Sequence, residues 1–235
     1  TVRAMKTYVV SGAASGIGAA TTALLREQGH RVVTVDLHDA DVTADLSTAE
    51  GREAAVSGVR ELTDVVHGVV PCAGIAGLTG VDSALLVSVN YFGALALVRG
   101  LRAELAAAGG AAVVLLASNS ITGMPGWNAE VAALCLREDE PAARAAASEV
   151  DAVMVYPSSK AALAWWARRE GIKPEWIGAG IRVNSVAPGM IETPMTDAMR
   201  ADPVFGPLPK DYPTALGRQG RPEEVAATIA FPRLR

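Results

Sequence analysis

The chain has 235 residues, with 21 Lys+Arg against 25 Asp+Glu for a formal net charge of −4, and is 50% apolar and 5% aromatic. That balance excludes a disordered chain, whose few apolar residues could not offset chain entropy. The mild acidity argues against a nucleic-acid binder, which carries a basic footprint.

No apolar run approaches the roughly 18 residues of a bilayer span, so no membrane partner is expected. No signal peptide opens the chain at Thr1–Lys6, and Met5 is a candidate natural start. Cys72 and Cys135 make no disulfide framework. Cys72 closes an apolar run and reads as a buried, inert thiol. His30, His38 and His67 show no metal-ligand spacing, so no metal is expected. Together these features suit a cytoplasmic location.

The first 120 residues alternate apolar runs with helical patterns. Tyr8-Val9-Val10 predicts a first strand, followed by a glycine turn and a helix to about Gln28. Arg31–Val35 predicts a second strand after the helix-stopping Gly29. Val42 lies in a short third strand. A polar helix runs from about Thr48 to Leu62, with Ser47 or Thr48 as its N-cap. Val65–Pro71 and Ala111–Ala117 predict two further strands, separated by one long helix around Ser83–Ala107. Continuous Val/Leu runs without alternation fit strands buried on both faces. The order implies an α/β fold, a single doubly wound parallel sheet (Rossmann-like) with helices on both faces.

In the second half, Gly126–Asp151 reads as one or two surface helices with Val131, Leu134 and Leu136 on an apolar side. A helix is predicted to start near Tyr156, and a strand to span Ile181–Val186. An irregular Pro/Gly-rich loop is expected from about Pro188 to Gly220, then a helix after Pro222. No linker interrupts the chain, so residues 1–235 read as one domain, with a helical insertion at about 124–151 and a substrate loop at about 190–217.

Ser11–Gly18 joins the first strand to the first helix. Gly12 can take backbone angles denied to side chains, Gly16 lets a pyrophosphate approach, and Gly18 lets the helix lie close to the sheet. The helix N-terminus, with Ser15 and Ile17 in its turn, offers free N–H groups to phosphates. Asp36 ends the second strand, 18 residues after Gly18. A carboxylate there accepts hydrogen bonds from ribose hydroxyls and repels a 2′-phosphate, favouring NAD over NADP. Asp45 and Leu46 could flank an adenine, although an aspartate before a helix has a second reading as a simple cap.

Tyr156 and Lys160 lie at i and i+4 on one helix face. A nearby ammonium favours the phenolate and is expected to draw the tyrosine toward neutral pH, where it can exchange a proton with a substrate oxygen. Ser118, at a strand end, could hydrogen-bond the same oxygen or serve a turn. Asn90 is polar within an apolar helix and requires buried partners or a water.

These features in this order resemble the short-chain dehydrogenase/reductase family across essentially the whole chain. Further matches are Cys72-Ala73-Gly74, where the family usually has Asn-Ala-Gly, and Asn184–Pro194, which contains Pro188 and Gly189. The resemblance implies Tyr156 as acid/base and Ser118 as binder of the substrate oxygen. It implies that Lys160 holds the nicotinamide ribose and lowers the tyrosine pKa, and that Asn90 fixes a water in a proton relay. Ile191 and Thr193 would bind the carboxamide.

Asp39–Arg52, Cys72–Gly74, Ser88–Gly93 and Pro188–Pro194 are similar to the bacterial 3α-hydroxysteroid dehydrogenase/carbonyl reductase branch. So is the long interval between Ser118 and Tyr156, 38 positions. The resemblance implies an NAD-dependent oxidoreductase for a secondary alcohol or ketone, most often a steroid, and a homo-oligomer, dimer or tetramer. A dehydrogenase of another cyclic alcohol and a weakly catalytic dinucleotide-binding regulator are the alternatives. Met124, Trp127, Met190, Met195, Met199 and Phe205 are candidate apolar walls, and the substrate loop is expected to order around bound ligands.

Three departures stand out. Ser11 replaces the usual threonine. His67 stands where many members have aspartate. The family's last strand and Asp-Gly-Gly segment are missing or altered at Ala230–Arg235.

Overall fold

The computed structural model describes residues 4–124, 126–206 and 214–230. Its strands are β1 (Thr7–Ser11), β2 (Arg31–Asp36), β3 (Val42–Thr43), β4 (Gly68–Pro71), β5 (Ala111–Leu116) and β6 (Ile181–Val186). All pair in parallel in the order β3-β2-β1-β4-β5-β6. The winding reverses between β1 and β4, and in such sheets the crevice beyond the strands' carboxyl ends at that point is where ligands sit.

Strand side chains alternate between two cores. Val9, Val33, Val69, Val113 and Leu115 point to one face. Tyr8, Val10, Val32, Val70, Val114 and Leu116 point to the other. The second face is covered by α1 (Gly16–Glu27) and, at the far end of the chain, Pro222–Ala230, through Leu25, Val225 and Ile229. The first is covered by α2 (Ala49–Leu62), α3 (Ser83–Val87), α4 (Ala94–Gly100) and the later α9 (Ala152–Glu170). Strands buried on both faces explain why the sequence shows apolar runs rather than alternation.

The long helix expected around Ser83–Ala107 is broken twice. Ser88–Gly93 forms a π-helical turn between α3 and α4. Leu101 leaves helical geometry at φ −98 and ψ 16 before α5 (Arg102–Ala107). By length and composition Ser83–Gly100 is long and apolar enough to cross a bilayer, contrary to the sequence reading, but 67% of it is buried inside the fold.

Other boundaries shift for local reasons. β4 begins at Gly68 rather than Val65, because the Val66 N–H donates to the Glu104 carbonyl at 3.0 Å. Thr48 is the N-cap of α2, accepting from the Gly51 N–H at 3.0 Å. α9 begins four residues before Tyr156, because Asp151 caps it by accepting from the Val153 N–H at 2.9 Å. Pro157 therefore lies inside the helix rather than at its start. His67 takes over a structural contact, its Nδ1 accepting from the Thr7 N–H at 3.1 Å.

After the four-residue α6 (Ser120–Gly123), the insertion forms two helices, α7 (Ala129–Leu136) and α8 (Glu140–Ser148). They belong to the core more than to the surface: Val131, Ala132, Cys135, Ala143 and Ala147 are fully buried. The loop after Pro188 is not wholly irregular. Pro194–Ala201 is a helix, α10, capped by Thr193, and Pro222–Ala230 follows as α11. The expectations that concern Pro125, residues 207–213 of the substrate loop and the altered end at 231–235 lie outside the described residues.

Candidate active site

A cleft of about 600 Å³ opens over the carboxyl ends of β1, β2 and β4. Its walls include Gly12, Ser15, Gly16, Ile17, Gly18, Asp36, Asp45, Leu46, Cys72, Ala73, Gly74 and Thr193. Twelve residues singled out in the sequence therefore share one surface.

The glycine turn has the geometry its pattern predicts. Gly12 has φ +63, and a Cβ there would lie 2.5 Å from the Ala73 nitrogen. A Cβ on Gly18 would lie 2.0 Å from the Gly12 carbonyl oxygen, so only glycine lets α1 start this close to β1. Ser15 is the N-cap of α1, makes no side-chain cap bond, and no acidic residue stands in the first turn. That leaves an anion-favouring helix end facing the cleft. The Ser11 hydroxyl accepts from the Ala73 N–H at 3.3 Å, so serine performs the tie without threonine's methyl.

The carboxylate of Asp36 is fixed at the end of β2. Its two oxygens accept from the Ala14 N–H at 2.9 Å and the Leu37 N–H at 2.7 Å. Asp45 is held by the Ser47 N–H at 2.9 Å. Hydrogen bonds from Ser47 keep its carboxyl below the usual range despite partial burial. Asp45 therefore closes a local turn ahead of α2 and does not cap the helix, which Thr48 does.

The polar group lies next to the cleft's inner end. Gly74 abuts both Asn90 and Lys160: a Cβ there would lie 3.1 Å from Asn90 Oδ1 and 3.8 Å from Lys160 Nζ. Asn90, in the π-helical turn, accepts from the Ile75 N–H at 2.7 Å and donates to the Ile75 carbonyl at 3.0 Å. Its side chain is thus committed to the loop after β4. A Cβ on Gly77 in that loop would lie 2.7 Å from Tyr156 Cβ.

Ser118 neighbours the Tyr156 phenol. Burial pushes the phenol above its ordinary value, and the Ser118 side chain draws it only part of the way back. The expected pull of Lys160 toward neutrality is not met by the protein's own groups. The Lys160 ammonium stands 5.6 Å from the Tyr156 ring centre and donates to the Leu116 carbonyl at 3.0 Å. Burial lowers Lys160 to about 8, with Cys72 acting the other way. Cys72 is half-buried in the cleft wall and not buried as its sequence suggested, yet desolvation pushes its thiol up to about 12, which fits its reading as inert.

Pro188, Gly189 and Ile191 stand beside the cleft rather than in its walls. The Pro188 carbonyl accepts from the Asn119 N–H at 3.0 Å, and a Cβ on Gly189 would lie 3.4 Å from Asn119 Nδ2. The Ile191 carbonyl accepts from Thr196 Oγ1, tying the loop to α10. Of the candidate apolar walls, Met195 lines the cleft. Trp127 instead anchors the insertion, donating to the Ile121 carbonyl at 3.0 Å and meeting Trp165 edge-on at 6.0 Å. Leu37, Ile75, Leu78, Val81, Leu85 and Val89 also line the cleft and were not anticipated. Being apolar, they carried no signal apart from their nearness to Asp36 and Gly74.

A family model described as short chain dehydrogenase matches residues 6–133. The chain belongs to the short-chain dehydrogenase/reductase family. A second model, described as enoyl-(acyl carrier protein) reductase, matches residues 142–231. The chain is 38% identical to a 3-alpha-hydroxysteroid dehydrogenase/carbonyl reductase of Comamonas testosteroni, over 97% of this chain and 89% of the relative. It is 33% identical to a cis-4-hydroxycyclohexanecarboxylate dehydrogenase of Sinomonas cyclohexanicum, over 97% and 89%. Among solved structures, the 3-alpha-hydroxysteroid dehydrogenase of Pseudomonas sp. B-0831 complexed with NADH superposes with a TM-score of 0.92 at 40% identity, covering 97% of this chain and 89% of that one. The protein is an oxidoreductase of this family's type.

Proposed function

We propose that the protein interconverts a secondary alcohol and a ketone with NAD(H), and that a 3α-hydroxysteroid or 3-ketosteroid is its leading substrate class. The observation that carries this is the Tyr156 phenol with Ser118 and Lys160 beside it, where Lys160 adjoins the Gly74 wall of the cleft. The cleft itself fits a dinucleotide. It has close backbone at Gly12 and Gly18, an uncapped helix end, and a carboxylate at Asp36 where an adenosine ribose lies in this fold.

When bound, NAD would accept or return the hydride at its nicotinamide ring. In oxidation, Tyr156 as phenolate takes the hydroxyl proton of the alcohol. In reduction its phenol returns a proton to the ketone oxygen. Ser118 donates to that oxygen, and Lys160, one helical turn from Tyr156, would hold the nicotinamide ribose. Thr193 and Ile191 hold the nicotinamide end, and Pro188 and Gly189 shape its floor. Asn90 acts through Ile75, because both polar atoms of its amide are engaged there. One N–H and one oxygen lone pair of the amide remain for a relay water.

The steroid assignment is supported by the similarity to two 3-alpha-hydroxysteroid dehydrogenases. A smaller cyclic alcohol is the second reading, supported by the cyclohexane-carboxylate relative. One polypeptide domain, residues 1–235, carries the activity, and it assembles as a homo-oligomer. Exposed Trp165 and Ile172 offer apolar surface for that contact. The test is NADH absorbance with a panel of 3-ketosteroids, cyclic ketones and short ketones. Turnover of 3-ketosteroids above the others is the expected result. Preference for a cyclohexanone carboxylate would establish the second reading, and no NAD-linked turnover would overturn both.

A further inference from the structure

Arg52, near the start of α2, has a side chain only 11% exposed. It donates through four of its five N–H groups. Nε donates to the Leu46 carbonyl at 2.9 Å and Nη2 to the Ser47 carbonyl at 3.1 Å. The same guanidinium grips both oxygens of Glu140, in α8, at 2.7 and 2.6 Å. Glu140 also accepts from the Ser88 hydroxyl at 2.8 Å, at the start of the π-helical turn that carries Asn90. Leu46 and Ser47 are walls of the cleft beside Asp36.

Such a half-buried ion pair is weak evidence for added stability, since desolvation offsets much of its attraction. Its geometry does something more specific. A planar fork satisfied bidentately by a carboxylate is fixed in orientation. Here the remaining edge of that fork meets two consecutive rim carbonyls. The insertion helix therefore sets where the rim stands, across 88 residues of sequence.

We propose that Arg52 and Glu140 are positioning residues for the adenosine half of the dinucleotide, through the backbone of Leu46 and Ser47. This rests on the NAD(H) reading above. The pair touches no reacting atom, so its effect falls on cofactor affinity and not on the hydride or proton step.

The test is calorimetric titration of the full chain with ADP-ribose, which carries the adenosine half without nicotinamide. Arg52→Lys keeps a cation against Glu140 but cannot also reach both carbonyls. Glu140→Gln keeps the shape but releases the fork. Both variants should weaken ADP-ribose binding by about tenfold, as expected when charged hydrogen bonds that fix a binding surface are lost. Their kcat at saturating NADH should stay near that of the unaltered protein. Unchanged ADP-ribose affinity in Arg52→Lys would overturn the proposal, whatever happens to the melting temperature. If the unaltered protein itself bound neither ADP-ribose nor NADH, the NAD(H) reading would fail, and this inference with it.

Discussion

The Lys160 ammonium stands 5.6 Å from the centre of the Tyr156 ring and donates to the carbonyl of Leu116 at 3.0 Å. One helical turn thus sets a buried cation beside a half-buried acid, and desolvation works on each of them. It raises Tyr156 and lowers Lys160 to about 8. Desolvation disfavours the charged form of each, yet Lys160 keeps its proton below about pH 8, so the resting pair is a neutral phenol beside an ammonium.

Tyr156→Phe removes one hydroxyl and little volume. Acid/base groups contribute about 10²–10⁴-fold to rate, and kcat should fall within that range. NADH binding should stay close to that of the unaltered protein, as read by quenching of its fluorescence. Full activity in the phenylalanine variant would remove Tyr156 from the mechanism.

Lys160→Met should lose turnover and weaken NADH binding, yet stabilise the fold. An unfolded lysine holds its proton to about 10.5, whereas the folded one releases it near 8. Between these values the unfolded state binds more protons, so the stability of the unaltered protein rises with pH in that window. Below pH 8 the buried charge costs on the order of 3 kcal/mol at 1.36 kcal/mol per pKa unit. The Leu116 carbonyl left without its donor takes back about 1 kcal/mol. Urea unfolding should show the methionine variant more stable by about 2 kcal/mol at pH 7. That gap should close toward pH 10. A variant less stable at pH 7 would contradict the burial cost.

Local signals carried most of the fold. Ile181–Val186 appears as read, and the glycine turn's backbone angles follow from its spacing. The misread boundaries arose where a tertiary partner or a stronger cap prevailed: Glu104 at the start of β4, and Asp151 ahead of Pro157 in α9. At the site, residue types and order placed twelve residues on one cleft. The phenol's environment was not legible, because burial is a property of packing and not of an i, i+4 pair. The partners of Arg52 and Asp202 were likewise hidden, standing 88 and 123 positions away.

Cofactor choice should rest on Asp36. Backbone N–H groups of Ala14 and Leu37 fix its carboxylate, leaving lone pairs for ribose hydroxyls and a negative charge against a 2′-phosphate. Asp36→Ala should raise the KM for NADH and narrow the gap to NADPH, measured with one ketone at saturation. Equal use of NADH and NADPH by the unaltered protein would contradict this.

Asp202 should control how the substrate side of the cleft closes. It stands just after α10, whose Pro194, Met195 and Ala198 line the cleft. Its Oδ2 accepts from the Thr79 N–H at 2.8 Å, and its Oδ1 from the Thr79 hydroxyl at 3.0 Å, so it clasps α10 to the loop after β4. The same Oδ1 accepts from the Val204 and Phe205 N–H groups, at 2.8 and 2.9 Å. Burial works to raise its pKa, but these amides outweigh it and hold the carboxyl below its ordinary value. The clasp is therefore complete above the ordinary carboxylate pKa and is lost only as pH falls through the lowered one. Asp202→Asn replaces one acceptor with a donor that faces donors. Thr79→Val removes the hydroxyl bond alone and should act in the same direction, less strongly. Both should raise KM for bulky ketones by several-fold while leaving small ketones nearly unaffected, because a loosened α10 matters most to a substrate that must lean on it. The insertion cannot be shortened for this purpose, since its helices bury core residues. A ketone size series on these two point variants separates the cases: equal loss across all sizes would show that the clasp supports the fold and not the substrate wall.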